Sequence, residues 1–450
     1  MAIRSAVRSR VVVVLLALLV LAIIGLPLTV KGDGTAAGEV RVLLSYTLGL
    51  VTVILAVATL WAGCAAVSLE VQQKQIQLVL AKPVGRLEVW LGKWLGLLAL
   101  NAVLLAFSGA VVYGLLQWQM RPGRLTAAQR QLAQEQLLMA ARRVLPDVSA
   151  LEDAARQTVE QQIQANAMPE GIPADQFYQA VRDSILQRAN TVPIGMRTRW
   201  VFRLPERPTG EQALTIRYKF ATSKTDKTPV TGLWRAGAPE TDVPYEARVT
   251  AEPDKTQTVT VPASVVGKDG TVLVEFGNVN PSPVTVLFSP RDGVELLVRA
   301  GGFEANLARS LIVVFCQLAF LAALAVTLGS LFSLPVAAFA TGSLLVLIKA
   351  GSYVDSLAKS ATPIFGAAAP PNAKPQVDVF DLILRSIFKG LAAVLRPLQE
   401  TSPLEHLASG QLVGWEVVGS VFAIKVILYS GILAVLGVWL FNRREIALPA

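Results

Sequence analysis

Four stretches of this chain carry no charged side chain at all: Val11 to Val30, Val42 to Leu69, Trp94 to Met120 and Ser310 to Ile348. A fifth, Val417 to Phe441, carries only Lys425. About 20 apolar residues in a helix cover the roughly 30 Å hydrocarbon core of a bilayer, so each run is long enough to cross. Ser310 to Ile348 is too long for one crossing, and "GSLFSLP" at Gly329 to Pro335 supplies a break between two helices. The runs therefore predict six membrane spans. Composition agrees: 53% of residues are hydrophobic and 16% charged, where a soluble chain carries about a quarter charged, and mean hydropathy is +0.51. The first run exceeds the apolar core of a signal peptide and no A-x-A pattern follows closely, so it reads as a retained helix.

Basic residues set the expected orientation. Arg4, Arg8, Arg10, Lys74, Lys82, Arg86, Lys93, Arg443 and Arg444 fall on one side of the six spans, against Lys31 and Arg41 in the opposite short loop. The positive-inside rule places both termini and residues 70–93 in the cytoplasm, at the cell (inner) membrane. The net charge of +9 is explained by this flanking of apolar runs. No Lys/Arg run with interleaved aromatics points to nucleic acid. Cys64 and Cys316 lie within apolar runs and are expected to be small buried residues, not a disulfide.

Three domains follow. Residues 1–120 hold spans one to three, 121–303 form an extracytoplasmic insertion, and 304–450 hold spans four to six. The insertion begins, over 124–190, with Gln/Ala-rich sequence in which Leu132, Leu137, Leu138 and Val144 have helical spacing; Thr126 suits an N-cap and Pro173 a first turn. From Arg197 the period becomes two. Trp200, Phe202 and Leu204 alternate with arginines, as do Ile216, Tyr218 and Phe220 with Arg217 and Lys219, and Val272, Val274 and Phe276 repeat the pattern. Turn signals at "KDG", "GN", "NP" and "RDG" separate these strands, predicting a β-sandwich over 197–300. Val286 and Phe288 are too few to assign. The sandwich carries no legible ligand site, and a structural or docking role toward a protein or glycan is the expectation. A second outer segment contains residues 377–396, where Phe380, Ile383, Leu384, Ile387, Leu391 and Leu395 form one helical face and Asp378, Asp381, Arg385, Lys389 and Arg396 the other. This amphipathic helix is expected to lie in the outer interface or over the spans.

Catalytic chemistry is sparse. The one histidine, His406, lacks the partners a metal site or proton relay needs and reads as a surface residue. H-E-x-x-H and G-x-S-x-G are absent, and Gly92-Lys93 lacks both the upstream glycine and the Ser/Thr of a P-loop. The chain is therefore expected not to hydrolyse ATP. Lys349 and Lys425 sit within apolar runs, at a cost of about 2.5–3.5 kcal/mol each at a span centre and less near its end. Lys349 can snorkel, while Lys425 either snorkels or lines a translocation path.

Between the second and third spans runs "SLEVQQKQIQLVLAKPVGRLEVWLGKW". Leu69, Ile76, Val79 and Leu80 recur at helical spacing beside Glu70, Gln73, Lys74 and Gln77. The helix, at 69–82, must stop near Lys82 because Pro83 disfavours helical geometry in the residue before it. Gly85 permits a turn, Arg86 projects, and the next helix starts at Leu87. A charged, structured elbow replaces what a few loop residues could do. Here the chain resembles the permease subunits of ATP-binding-cassette exporters of type 2, in which an amphipathic coupling helix begins with an acid and runs into an L-x-x-P-x-x-R segment and a Gly-Lys entering the third span. The matching residues are Glu70, Leu78, Leu80, Pro83, Arg86, Gly92 and Lys93, and "FNRRE" at 441–445 resembles the family's ending. The likeness covers the membrane portion and not the insertion; Lys74-Gln75 stands where many relatives have Gly-Thr.

The resemblance implies a separate cytoplasmic ATPase subunit, binding ATP and Mg, that docks against Glu70, Gln73, Lys74, Gln77, Lys82, Pro83 and Arg86. It also implies a second permease copy, identical or different, in the same bilayer. ATP-driven closure would push the elbow and tilt the spans. Two other readings fit the residues: a related complex that transmits force to an outer partner without moving solute, and a membrane-anchored binding module.

Overall fold

The computed structural model describes residues 10–29, 40–73, 85–121, 139–165, 174–205, 213–224, 228–238, 244–290, 292–351, 353, 379–398 and 403–443. They form two compact units, Met1–Ala140 with Gly302–Ala450, and Ala141–Gly301.

The first unit is helical. Its long elements are α1 (Arg10–Thr29), α2 (Leu48–Gln72, entered through a π-turn at Leu43–Thr47) and α3 (Arg86–Gln119). After the insertion come α6 (Phe303–Leu331), α7 (Leu334–Lys349), α8 (Val379–Leu395), the short α9 (Pro403–Ala408), α10 (Trp415–Val421) and α11 (Ser430–Arg443), the last two joined by a π-helical stretch at Phe422–Tyr429. Four helices are long and apolar enough to cross a membrane: Val40–Glu70, Arg86–Gln119, Phe303–Leu331 and Trp415–Leu440; Val14–Leu26 and Leu334–Lys349 are shorter apolar helices. The chain is thus a membrane protein by the length and apolarity of these helices. The break near Gly329 to Pro335 falls at Phe332 and Ser333, with Pro335 in the first turn of α7, where its missing N–H costs nothing. The third apolar helix starts at Arg86, well before the uncharged run at Trp94, because helical geometry tolerates charge in a first turn outside the hydrocarbon.

Small residues let these helices approach. α6 is the hub: 72% of its apolar window is buried, against 22–33% for the other three. A Cβ added at Gly329 would lie 2.7 Å from the Cys64 carbonyl oxygen and 3.0 Å from its Cα, and one at Gly63 would lie 2.6 Å from the Ala325 Cβ. Backbone and a rigid methyl cannot yield as a flexible side chain can. Close backbone approach of this kind supplies the van der Waals packing that drives association between helices in lipid. Thr59 donates to Asn101 Oδ1 at 2.9 Å, adding a buried polar link between α2 and α3. Both cysteines are free and buried. Gly329→Val is expected to lower stability in detergent by about 1–3 kcal/mol through overpacking, read as a lower midpoint in thermal unfolding, whereas Gly114→Val, at a site with no atom within 4 Å, should leave it unchanged.

The second unit is a β-sandwich with two helices, α4 (Ser149–Gln164) and α5 (Ala174–Ala189). The strands are β1 (Met139–Val144), β2 (Thr191–Val192), β3 (Arg197–Arg203), β4 (Leu214–Tyr218), β5 (Phe220–Thr222), β6 (Val230–Gly237), β7 (Tyr245–Ala251), β8 (Gln257–Val261), β9 (Thr271–Asn278), β10 (Val286–Phe288) and β11 (Val294–Gly302). One sheet has the order β1-β11-β4-β8 and another β3-β9-β6-β7, while β2-β10-β5 form a three-stranded sheet. Inward residues of all three share one core, including Trp200, Phe202, Tyr218, Trp234, Phe276 and Phe288. The alternation from Arg197 onward has the predicted phase, and Val286 and Phe288 prove to be a strand.

The reading of 124–190 as helical holds over Ser149–Gln164 and Ala174–Ala189 and needs correction at one place. Residues 139–144 form strand β1, with Val144 in the sandwich core. Ala and Arg favour helix intrinsically, but pairing with β11 overrides that weak preference. Thr126, Leu132, Leu137, Leu138 and Pro173 lie outside the described residues. The amphipathic segment at 377–396 is helical from Val379; its far end buries Leu395 and Leu398 against Phe320 and Ile348, whereas Ile383 and Ile387 remain exposed. His406 is half-buried and bonded through Nδ1 to Gln411 Oε1, so it braces a turn and is not a bare surface residue.

Burial pushes the Tyr218 phenol up to about 12, only partly offset by the neighbouring Trp234 indole, which lies outside hydrogen-bond geometry. The unfolded chain ionises its tyrosine near pH 10, so above that pH the unfolded state binds fewer protons and stability falls until the folded phenol ionises. The loss is about 3 kcal/mol between pH 10 and 12, at 1.36 kcal/mol per unit. Denaturant titration of residues 121–303 should show this alkaline loss reduced by that amount in Tyr218→Phe, with stability at pH 7 nearly unchanged because the hydroxyl has no partner to lose.

Candidate functional site

The end of α2 and the start of α3 face each other. α2 continues through Glu70 to Gln72, and the Gln73 amide still donates to the Leu69 carbonyl at 2.9 Å. The chain returns at Gly85, whose extended backbone (φ −66°, ψ 141°) caps α3, with the Val89 amide donating to its carbonyl at 3.2 Å. Glu88 in the first turn complements the positive end of the helix dipole. Arg86, in the same turn, opposes it.

An ion pair bridges the two helices. Lys93 Nζ lies 2.7 Å from Glu70 Oε1, with the two side chains 16% and 36% exposed, and Lys93 also donates to the Ala66 carbonyl. This partial burial makes the pair a stronger brace than a fully solvated one. One turn away, Trp90 Nε1 donates to Thr327 Oγ1 at 3.2 Å, and Thr327 Oγ1 donates to the Leu433 carbonyl at 3.1 Å. Trp94 stacks on Trp90 with ring centroids 5.8 Å apart and donates through Nε1 to the Ala319 carbonyl at 2.9 Å. The first turns of α3 are therefore tied to α2, α6 and α11 together. Val67, Arg86, Trp90, Lys93, Ser330 and Gly437 help line an open cleft of about 300 Å³ at this junction.

Of the residues singled out from sequence, Glu70, Gln73 and Arg86 are at this junction. Lys74, Gln77, Lys82 and Pro83 lie outside the described residues. Lys349 is exposed in the last turn of α7. Lys425 is 5% exposed within the π-helical stretch, and Ser430 Oγ donates to its carbonyl at 2.9 Å. It is enclosed by protein, which removes snorkelling to the chain surface as its explanation. Sequence reasoning paired Lys93 with no residue and gave Trp90 and Thr327 no role; an acid and a lysine both flanking the elbow was the available signal for the first. Among the described residues no cluster of metal-ligating side chains occurs.

No protein-family model matches the chain, and no curated protein matches it either.

Proposed function

We propose that this chain is the permease subunit of a type-2 ATP-binding-cassette exporter, with six spans, cytoplasmic termini and the sandwich unit outside the cell membrane. Pairs of such subunits, alike or different, enclose the path, and separate ATPase subunits supply ATP and Mg. The observation that supports this reading best is the braced junction below the elbow. Glu70–Lys93 couples α2 to α3, and Trp90–Thr327–Leu433 couples α3 to α6 and α11. A push delivered between residues 73 and 85 would reach four helices at once. Such linkage is what alternating access by rocking helices requires, and a simple interfacial turn has no need of it. In this reading Glu70 braces the elbow from within, and Arg86 is the better candidate for contact with the ATPase. Lys425, buried and charged within a span, is the candidate for the path.

The experiment is recovery of the ATPase subunit with Arg86→Glu and Lys93→Ala variants at matched permease levels. A buried interfacial charge pair that loses one partner costs about 2–5 kcal/mol, so Arg86→Glu should weaken recovery at least tenfold. Lys93→Ala should leave recovery intact yet uncouple ATP hydrolysis from transport. Wild-type behaviour of both variants would reduce the junction to a turn.

A second reading keeps the complex but moves no solute. It is favoured by one observation: β11 ends at Gly302 and α6 begins at Phe303, with no linker residue between them. Transport of a candidate substrate into sealed vesicles separates the two.

A further inference from the structure

The edge strands of the sandwich unit are not alike. β7 stands at the end of the order β3-β9-β6-β7 and, among the described residues, pairs with β6 alone. That pairing runs without a bulge from Ala236↔Tyr245 to Val230↔Ala251. Tyr245, Ala247 and Val249 face the aromatic core yet stay only half-buried. At the opposite edge of the same sheet Trp200 and Phe202 of β3 are buried, and the Asp147 amide already donates to the Val201 carbonyl at 2.7 Å. Val259 and Val261 are buried under β8, and Val144 under β1. The core is therefore left open along β7. Natural sheets often blunt such an edge with a proline, a bulge or an inward-pointing charge, and β7 has none of these.

The charges of β7 limit what can lie along it. Glu246, Arg248 and Thr250 alternate with the core-facing residues and share the outer face. Arg248 is exposed and has no ion pair among the described residues. Glu246 is met by Arg235 within the chain, and a carboxylate has lone pairs for two guanidiniums. Two copies of one edge strand related by a two-fold axis run antiparallel, with opposite residues on the same face. An axis at Arg248 sets arginine against arginine, and one at Glu246 sets acid against acid; like charges directly opposite destabilise a sheet. An axis at Ala247 sets Glu246 of each copy opposite Arg248 of the other. On the core side the same register sets Tyr245 opposite Val249 and Ala247 opposite itself, where a methyl group allows close approach.

We propose that two copies of this chain pair edge to edge through β7, antiparallel about Ala247, so that their sheets continue into one. Each copy then covers the half-buried Tyr245, Ala247 and Val249 of the other, and two Glu246–Arg248 pairs fix the register. This pairing rests on the sandwich unit alone and is independent of the permease reading: subunits that pair only through their spans leave β7 without a partner strand.

The test uses the full-length protein in membranes, with Cys64 and Cys316 replaced by alanine and one cysteine introduced. Copper phenanthroline is the oxidant, and dimer is read on a non-reducing gel. Ala247→Cys, on the axis, should give at least tenfold more dimer than Thr250→Cys, although Thr250 is the more exposed. The two copies of position 250 would stand about 20 Å apart, at roughly 3.4 Å per residue. Added to Ala247→Cys, Arg248→Glu sets acid against acid and Glu246→Arg sets base against base, so each should lose the dimer. The two variants expressed together, with tags of different size, should regain it as the mixed dimer alone, which also shows that both are folded. No dimer at Ala247→Cys, or as much at Thr250→Cys, would overturn the proposal. So would capture of a different protein at Ala247→Cys, single variants that pair like their parent, or loss in both without recovery in the mixture.

Discussion

Glu295→Ala is expected to destabilise the sandwich unit by about 3–5 kcal/mol, the cost of removing one member of a buried ionic cluster. Glu295 is 4% exposed on β11. Arg217 faces it in register from β4 and donates through Nε at 3.0 Å, and Arg143 reaches its other oxygen from β1. The carboxylate thus holds three adjacent strands, and its loss leaves two guanidiniums side by side with their counter-ion gone. A typical domain has only 5–15 kcal/mol in hand, so the variant should unfold at markedly lower urea. Replacing all three residues by methionine removes the charges along with the pairing and should restore most of the stability. Urea titrations of residues 121–303 carrying each change distinguish the accounts: if the triple variant is as unstable as Glu295→Ala, shape and not charge is what the cluster supplies.

Trp234→Ala should cost a comparable 3–5 kcal/mol, here through a cavity. Trp234 is 1% exposed, and its ring centroid lies 4.5 Å from that of Tyr218, 5.0 Å from Phe276, 6.0 Å from Phe288 and 6.1 Å from Trp200. Phe276 in turn lies over Gly232, where an added Cβ would come within 2.1 Å of the ring. Aromatic rings from both main sheets therefore interlock, and removing the central one leaves a hole that neighbouring strands cannot close without breaking their ladders. Trp234→Phe keeps most of the contact and should cost much less. Loss of the near-ultraviolet signal together with a lower urea midpoint in the alanine variant alone is the expected pattern.

The junction of α2 and α3 was half legible. Glu70 and Arg86 stand out in sequence because charge interrupts an apolar chain and because Pro83 and Gly85 must turn it. That Glu70 meets Lys93, and that Trp90 reaches Thr327 and Leu433, could not be read. Tryptophan, threonine and a backbone carbonyl inside apolar helices carry no periodic signal, and which faces of three helices meet depends on their packing. The same holds for the arginines of the sheet β3-β9-β6-β7. Alternation shows that Arg199 points outward and register sets it opposite Glu275, but only the side-chain geometry shows that Arg197 takes that carboxylate.

What the sequence determined by itself is whatever depends on local periodicity and on transfer from water. The apolar helices, the break before Pro335, and the inward phase of Trp200, Ile216 and Val274 follow from the spacing of apolar residues, because burial acts on each face of each element separately. What only the tertiary structure decided is whatever depends on partners distant in the chain. β1 is a strand because β11 is there to pair with it. Gly63 and Gly329 matter because α2 and α6 meet where they lie. Lys425 is enclosed because neighbouring elements cover it. These are properties of contacts between segments, and no window of sequence contains both sides of such a contact.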